Sequence, residues 1–202
     1  MMERFRAFFA RVFAPVARFF LRLGVSPDAV TLVGTLGVCA GALVFFPRGQ
    51  LLIGVLVVTA LVFSDIVDGT MARLSGRSSK FGAFLDSTLD RLGDAAIFGG
   101  LVMYYDGPGQ SRALAALALY CLVMGSVTSY ARARAESLGM EAKGGIAERA
   151  DRLVAILAMT GLSAIFDVPV LIPLTLAVLA VASTITVVQR VLAVRSQAKA
   201  TV

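Results

Sequence analysis

Long runs of apolar residues, separated by short polar connections, dominate the pattern along the chain. The runs cover residues 29–46, 51–63, 95–105, 113–131, 153–166 and 168–189. A helix needs about 20 mostly apolar residues to cross the hydrocarbon core of a bilayer. The shorter runs must therefore include adjoining polar turns if they are to span it. The pattern predicts an all-α membrane protein with six transmembrane helices.

Residues 1–23 follow an amphipathic pattern instead. Apolar residues recur there at helical spacing: Phe5, Phe8, Phe9, Val12, Val16, Phe19, Phe20 and Leu23. Arginines share another face: Arg4, Arg11, Arg18 and Arg22. A helix of this kind lies in the plane of the membrane interface. We expect a juxtamembrane amphipathic helix over 1–23, followed by a six-helix domain over 24–202. The first span should begin with Ser26 as N-cap and Pro27 as its first residue.

The composition agrees with a membrane protein and narrows the chemistry. Hydrophobic residues make up 58% of the chain, whose mean hydropathy is +0.84. Histidine is absent, which removes the commonest general base and the commonest zinc ligand. Cys39 and Cys121 lie inside apolar runs and are interpreted as packing residues. Gly34, Gly37 and Gly41 are interpreted in the same way, as positions where helices approach closely.

The basic residues predict the orientation in the membrane. Most of them lie before the first span, after the second, between the fourth and fifth, and after the sixth. The other connections hold only Arg48 and Arg112. Because basic loops remain in the cytoplasm, both termini are expected there, in a multi-pass protein of the cell membrane. In such a protein the net charge of +6 reflects this asymmetry and indicates no nucleic-acid partner.

Four aspartates lie where the second and third spans meet. Asp65 and Asp68 are three residues apart, and Asp86 and Asp90 are four apart, so each pair shares a helical face. Oxygen ligands alone favour magnesium, calcium or manganese, and ionisable groups at a membrane are costly unless they serve a function. The alternative is a set of solvated ion pairs with nearby basic residues. Two helical spacings in one short stretch favour the metal site.

Small and basic residues next to these aspartates are typical of a phosphate site. Gly69 follows Asp68 directly, and a missing side chain lets a ligand approach the backbone. Arg73 lies five residues after Asp68 and can reach a phosphate.

The full spacing resembles the signature of the CDP-alcohol phosphotransferase family. It comprises Asp65, Asp68-Gly69, Ala72-Arg73, Gly82, Asp86 and Asp90. The resemblance implies that Asp65, Asp68, Asp86 and Asp90 hold two Mg²⁺ ions, with Mn²⁺ as a possible substitute. It also implies that Asp90 is the general base and that the site faces the cytoplasm.

The same resemblance assigns the donor substrate, a CDP-linked lipid such as CDP-diacylglycerol. Gly69, Arg73 and Ser79 would contact the nucleotide and its pyrophosphate. A second element near the nucleotide would comprise Asp28, Ala29, Val30 and Thr31, with Asp28 where asparagine is common in the family. A homodimer is the assembly that the resemblance implies.

Segments 128–139 and 144–153, together with the stretch STLDRLGD, resemble the prokaryotic phosphatidylinositol-phosphate synthase family. This predicts inositol 1-phosphate as the acceptor, with its phosphate bound by Arg134, Arg152 and Arg190. Ordinary basic loop charge is the alternative for these arginines. Synthesis of phosphatidylglycerol phosphate from glycerol 3-phosphate is the alternative reaction. A cation-coupled transporter is disfavoured because its charges should lie midway through the spans.

Overall fold

The computed structural model describes residues 14–62, 64–76 and 79–200, with only the backbone given for 64–66 and 200. Helices make up this part of the chain, and no strand occurs in it. Within it, α1 covers 14–22. The further helices are α2 (Pro27–Phe45), α3 (Leu51–Val62), α4 (Ser64–Ser75), α5 (Lys80–Asp106), α6 (Arg112–Ser137), α7 (Arg149–Phe166) and α8 (Leu171–Ala200). The all-α prediction is confirmed.

Four helical stretches among the described residues are long and apolar enough to cross a membrane. They are Pro27–Arg48, Leu51–Ser75, Arg112–Ser137 and Leu171–Lys199. The first includes a 3₁₀ turn, Phe46–Arg48, and the second runs from α3 into α4. The short run 95–105 gains its length as predicted, because α5 already begins at Lys80. The six-span count stays a prediction, and residues 1–13 of the expected amphipathic helix lie outside the described part.

The start of α2 follows the predicted capping chemistry. The Ser26 hydroxyl accepts the backbone N–H of Ala29 at 3.2 Å, and Pro27 is the first helical residue. Asp28 then places a carboxylate in the first turn, where the helix dipole favours negative charge. Thr31 is buried and donates its hydroxyl to the carbonyl of Pro27 at 3.1 Å. The chain is therefore fixed where it enters the first predicted span.

The helices group into two compact units, of which the first comprises 1–44 and 56–97. Within it, a Cβ on Gly37 would lie 2.8 Å from Leu61, and one on Gly41 would lie 3.0 Å from Val57. These glycines let α2 and α3 approach closely, as predicted. A small core of Ala17, Val67 and Met71 joins α1 to α4.

The second unit comprises 45–55 and 98–202. Its centre is formed by α8, which packs against both α6 and α7. Buried aliphatic residues such as Ile156 and Leu176 line these contacts, yet several polar side chains are buried in the same unit. Two of them, Arg152 and Arg190, are among the predicted acceptor-phosphate residues.

Candidate active site

The acidic helix α4 carries the first pair of predicted metal ligands. Asp68 is buried, with 6% of its surface exposed, and follows the core residue Val67 directly. A carboxylate at such a position is unusual, because burial removes its hydration. Asp65 lies in the same helix, but its side chain is outside the described part. Asp68 is therefore the acid of this pair whose burial the structure describes.

The second pair lies in α5, one turn apart. Asp86 is exposed, whereas Asp90 is half-buried and lies 3.6 Å from the Arg91 guanidinium, measured between Oδ2 and Nη2. Asp94, one turn further, is buried. Successive carboxylates along α5 thus pass from solvent into the helix bundle of the first unit.

The chemistry of these side chains fits a hard divalent cation, since carboxylate oxygens are the ligands that Mg²⁺ and Mn²⁺ prefer. Among the side chains that the structure describes, which exclude that of Asp65, no three acidic, cysteine or histidine residues are gathered closely enough to hold a metal ion. The buried carboxylate of Asp68 is the observation that fits a bound cation best. The complete ligand set stays a prediction.

The predicted nucleotide element meets the start of α5. Ser79 caps this helix, because its hydroxyl accepts the backbone N–H of Gly82 at 2.8 Å. A Cβ on Gly82 would lie 3.2 Å from the Asp28 Oδ1 atom and 3.2 Å from the Ser79 hydroxyl. Asp28 and Ser79 are distant in sequence and were predicted separately as nucleotide contacts. The fold brings both to the same glycine.

Gly69 and Arg73 lie on one face of α4. The Arg73 Nε atom donates to the Gly69 carbonyl at 3.0 Å, and the Arg73 side chain is exposed. A Cβ on Gly69 would contact no described atom within 4 Å. Packing therefore does not require glycine at this position, which favours a role in letting a ligand approach the backbone.

The predicted acceptor residue Arg152 is fully buried in the second unit, with 1% of its surface exposed. Its guanidinium donates to the Ala147 carbonyl at 3.0 Å and to the Gly125 carbonyl at 3.5 Å. Gly125 lies against it, because a Cβ there would be 3.2 Å from the Arg152 Nε atom. The charge is thus held by backbone dipoles between α6 and the start of α7.

Arg190 and Arg134 have different surroundings. Arg190 is 5% exposed and donates from Nε to the Gly144 carbonyl at 3.1 Å and from Nη1 to the Thr128 carbonyl at 2.6 Å. Arg134 is exposed, and its Nη1 atom lies 3.3 Å from the Ser137 hydroxyl. Two of the three predicted arginines therefore bind main-chain carbonyls around one connection, and the third is open to solvent.

That connection, residues 138–148 between α6 and α7, is attached to α8 by residues that the sequence did not single out. The Gln197 amide accepts from the Glu141 N–H at 2.8 Å and donates to the Glu141 carbonyl at 2.6 Å. Thr186 is buried and binds the backbone of Ile146 and Ala147. A threonine inside an apolar run was the one available signal for this contact.

Comparison with known proteins places this geometry in a family. The family model described as CDP-alcohol phosphatidyltransferase matches residues 24–186. The chain belongs to the CDP-alcohol phosphatidyltransferase family. It is therefore an enzyme, and the resemblance seen in the aspartate spacing is confirmed.

Curated members of the CDP-alcohol phosphatidyltransferase family resemble nearly the whole chain. A phosphatidylinositol phosphate synthase of Streptomyces avermitilis is 53% identical over 95% of this chain and 81% of its own length. A protein of the same name from Cutibacterium acnes is 52% identical over 96% of this chain and 98% of its own length.

Solved structures of a CDP-alcohol phosphatidyltransferase relative agree with the fold. The phosphatidylinositol phosphate synthase of Mycobacterium tuberculosis with CDP-DAG bound is 44% identical, with a TM-score of 0.88 over 91% of this chain and 94% of that chain. The same enzyme in complex with manganese and citrate gives a TM-score of 0.87 at 43% identity, over 90% and 88% of the two chains.

Proposed function

We propose that the protein is a phospholipid synthase that transfers the phosphatidyl group of CDP-diacylglycerol to a hydroxyl of inositol 1-phosphate. The products are phosphatidylinositol phosphate and CMP. The observation that carries this proposal is the 53% identity over 95% of the chain to a phosphatidylinositol phosphate synthase. The family supplies the reaction type, and this relative supplies the acceptor.

The donor substrate is assigned to the first unit. Asp28 and Ser79 both lie next to Gly82. The Ser26 cap and the hydrogen bond of the buried Thr31 hydroxyl fix the segment Asp28, Ala29, Val30 and Thr31. Gly69 leaves its backbone open, and the exposed Arg73 guanidinium lies beside it. A guanidinium near an open backbone suits a pyrophosphate, since charge-assisted hydrogen bonds are strong and directional.

Asp65, Asp68, Asp86 and Asp90 are assigned as ligands of two divalent ions, magnesium with manganese as a substitute. Such ions, when bound, neutralise the pyrophosphate and stabilise charge on the attacking and leaving oxygens. Asp68 is buried, and its carboxylate oxygens are ligands of the kind that these cations prefer.

Asp90 takes the proton of the acceptor hydroxyl. The hydroxyl oxygen attacks the phosphorus next to diacylglycerol, the new P–O bond forms, and the bond from this phosphorus to the CMP oxygen breaks. CMP leaves with the bonding pair and needs no proton at neutral pH, so one base suffices. Asp90 is assigned this role because it is the last carboxylate of the family spacing, lies one helical turn after Asp86 and is half-buried.

The phosphate of the acceptor is assigned to Arg134, Arg152 and Arg190 in the second unit. Arg134 is exposed and can bind a dianion directly. Neither hydrogen bond of Arg190 to a described residue uses Nη2, so this nitrogen can donate to the phosphate. Arg152 adds its buried charge while its Nη1 donates to the Ala147 carbonyl.

The membrane arrangement completes the proposal. The domain of 24–202 has six spans, and α1, the described part of the expected amphipathic helix, precedes it. Both termini and the active site face the cytoplasm, because the basic residues lie in the corresponding connections. The active form is a homodimer in the cell membrane.

An acceptor panel tests the proposed reaction. Purified protein in mixed micelles receives CDP-diacylglycerol, magnesium and one acceptor among inositol 1-phosphate, inositol, glycerol 3-phosphate and serine. We expect CMP release only with inositol 1-phosphate, and a lipid product that carries two phosphates. Preference for glycerol 3-phosphate would instead identify a phosphatidylglycerol-phosphate synthase.

A further inference from the structure

Thr186 of α8 is fully buried, and its hydroxyl holds the backbone that leads into α7. Oγ1 accepts the N–H groups of Ile146 and Ala147, each at 3.1 Å, and donates to the Ala182 carbonyl at 2.8 Å. A hydroxyl offers one donor and two acceptor sites. These contacts use all of them, so this hydroxyl serves the backbone and is not available to a ligand.

The backbone held by Thr186 is the same one that binds two arginines. The Gly144 carbonyl accepts from Arg190, and the Ala147 carbonyl accepts from Arg152. Thr186 binds the N–H groups of Ile146 and Ala147, which lie between these two carbonyls in the sequence. Any shift of the segment 144–147 therefore changes the direction of both guanidinium groups.

The segment also fits tightly against Thr186. Gly145 has a φ of +138°, and a Cβ at this position would overlap the Thr186 Cγ2 atom. Only glycine has both the backbone freedom and the small size that this turn requires. The threonine thus fixes the segment through its hydroxyl and through direct contact.

We infer that Thr186 is a positioning residue for the acceptor site, because it fixes the segment 144–147 that sets the directions of Arg152 and Arg190. The inference rests on the proposed function, in which these arginines bind the phosphate of inositol 1-phosphate. Thr186 itself touches no substrate. Its effect should appear in acceptor affinity and leave the donor lipid unaffected.

Two substitutions at Thr186 separate the contribution of its hydroxyl hydrogen bonds from that of its side-chain packing. Thr186→Val keeps the branched shape and removes the hydrogen bonds, whereas Thr186→Ser keeps the hydroxyl. The KM values are measured on the purified full chain by steady-state kinetics, in which the concentrations of inositol 1-phosphate and CDP-diacylglycerol are varied in turn. We expect Thr186→Val to raise the KM for inositol 1-phosphate about tenfold, as for the loss of a buried hydrogen-bonding group. The KM for CDP-diacylglycerol should stay unchanged, and Thr186→Ser should retain the wild-type acceptor KM.

A second pair of variants tests the same segment without altering Thr186. Gly145→Ala forces the turn away from the threonine and should raise the acceptor KM as Thr186→Val does. Gly139→Ala is the matched control, since Gly139 lies in the same connection with φ +74° but has nothing within 4 Å of its Cβ position. It should leave both KM values unchanged. Gly145→Ala also keeps the inference testable if Thr186→Val does not fold.

Arg190→Gln in the same series distinguishes two kinds of failure. If Arg190→Gln raises the acceptor KM while Thr186→Val and Gly145→Ala do not, the positioning role is wrong and the proposed function stands. If Thr186→Val raises both KM values equally, or Thr186→Ser is equally impaired, the positioning role is also wrong. If Arg190→Gln leaves the acceptor KM unchanged, the acceptor assignment fails together with this inference.

Discussion

The carboxylate of Asp28 lies against Gly82, so closely that a Cβ on this glycine would stand 3.2 Å from the Asp28 Oδ1 atom. This contact joins the first turn of α2 to the first turn of α5. Both turns were assigned to the nucleotide from separate parts of the sequence. The glycine therefore has a defined physical role, which is to leave room for an acidic side chain.

Gly82→Ala should weaken donor binding. The added methyl group must displace Asp28 or the Ser79 cap, because contacts at 3.2 Å are tighter than ordinary van der Waals packing. We expect a raised KM for CDP-diacylglycerol with little change for inositol 1-phosphate, measured by varying each substrate in turn. Gly99→Ala in the same helix is the control, since nothing lies within 4 Å of its Cβ position. Equal effects of the two variants would contradict this role.

Asp65→Asn and Asp86→Asn should abolish turnover while the protein remains folded in the membrane. Each removes a negative ligand from the proposed metal site, and an amide oxygen binds a divalent cation more weakly. CMP release measures turnover, and circular dichroism checks the fold. EDTA should abolish wild-type activity, and magnesium or manganese should restore it. Full activity in the chelator would falsify the metal assignment.

Asp90→Asn should impair the chemical step more than donor binding. The amide cannot accept the proton of the acceptor hydroxyl, so kcat should fall by about a hundredfold or more. Binding of CDP-diacylglycerol, followed by calorimetry in detergent with metal present, should weaken only modestly. Asp106→Asn at the other end of α5 is the control, as this aspartate is exposed and outside the motif. A normal kcat combined with lost donor binding would contradict the base role.

Substitutions of the predicted acceptor arginines should differ in their effect on the thermal stability of the protein. Arg134→Gln should raise the KM for inositol 1-phosphate without changing thermal stability, because its side chain is exposed. Arg152→Gln should raise this KM and also destabilise the fold by about 1–3 kcal/mol, because buried carbonyls lose their donors. Thermal unfolding in detergent measures the second effect.

Arg195→Gln is the control for both arginine variants, since Arg195 is exposed near the end of α8. Unchanged acceptor KM values in Arg134→Gln and Arg152→Gln would remove these residues from the acceptor site. A loss of stability in Arg134→Gln equal to that in Arg152→Gln would contradict the difference in burial as its cause.

Features set by neighbouring residues were predicted well. Local chemistry and periodicity determine the Ser26 cap and the first helical position of Pro27. They also determine that the third run extends into the turns before it, for which the structure gives the start at Lys80. The metal-ligand spacing is also local, which is why the family could be named from it. Such features are encoded within a few turns of one helix.

Contacts between distant residues were not predictable in the same way. Arg152 was expected to bind the acceptor phosphate at the start of the fifth span, and no local pattern indicated that it is buried against Gly125 and the backbone before α7. Thr186 and Gln197 bind residues 39 to 56 positions away, and no periodicity records such a pairing. In a chain rich in apolar residues, a single buried polar side chain gives almost no local signal of its partner.

The double hydrogen bond between Gln197 and Glu141 has a practical consequence for handling the protein. The last turns of α8 hold the α6–α7 connection in place. We therefore expect these turns to be needed for the native position of that connection. A sample trimmed before Gln197 would keep every aspartate of the motif and yet release the connection at Glu141. Purification tags joined closely to this end should therefore be compared with tag-free protein before acceptor affinities are interpreted.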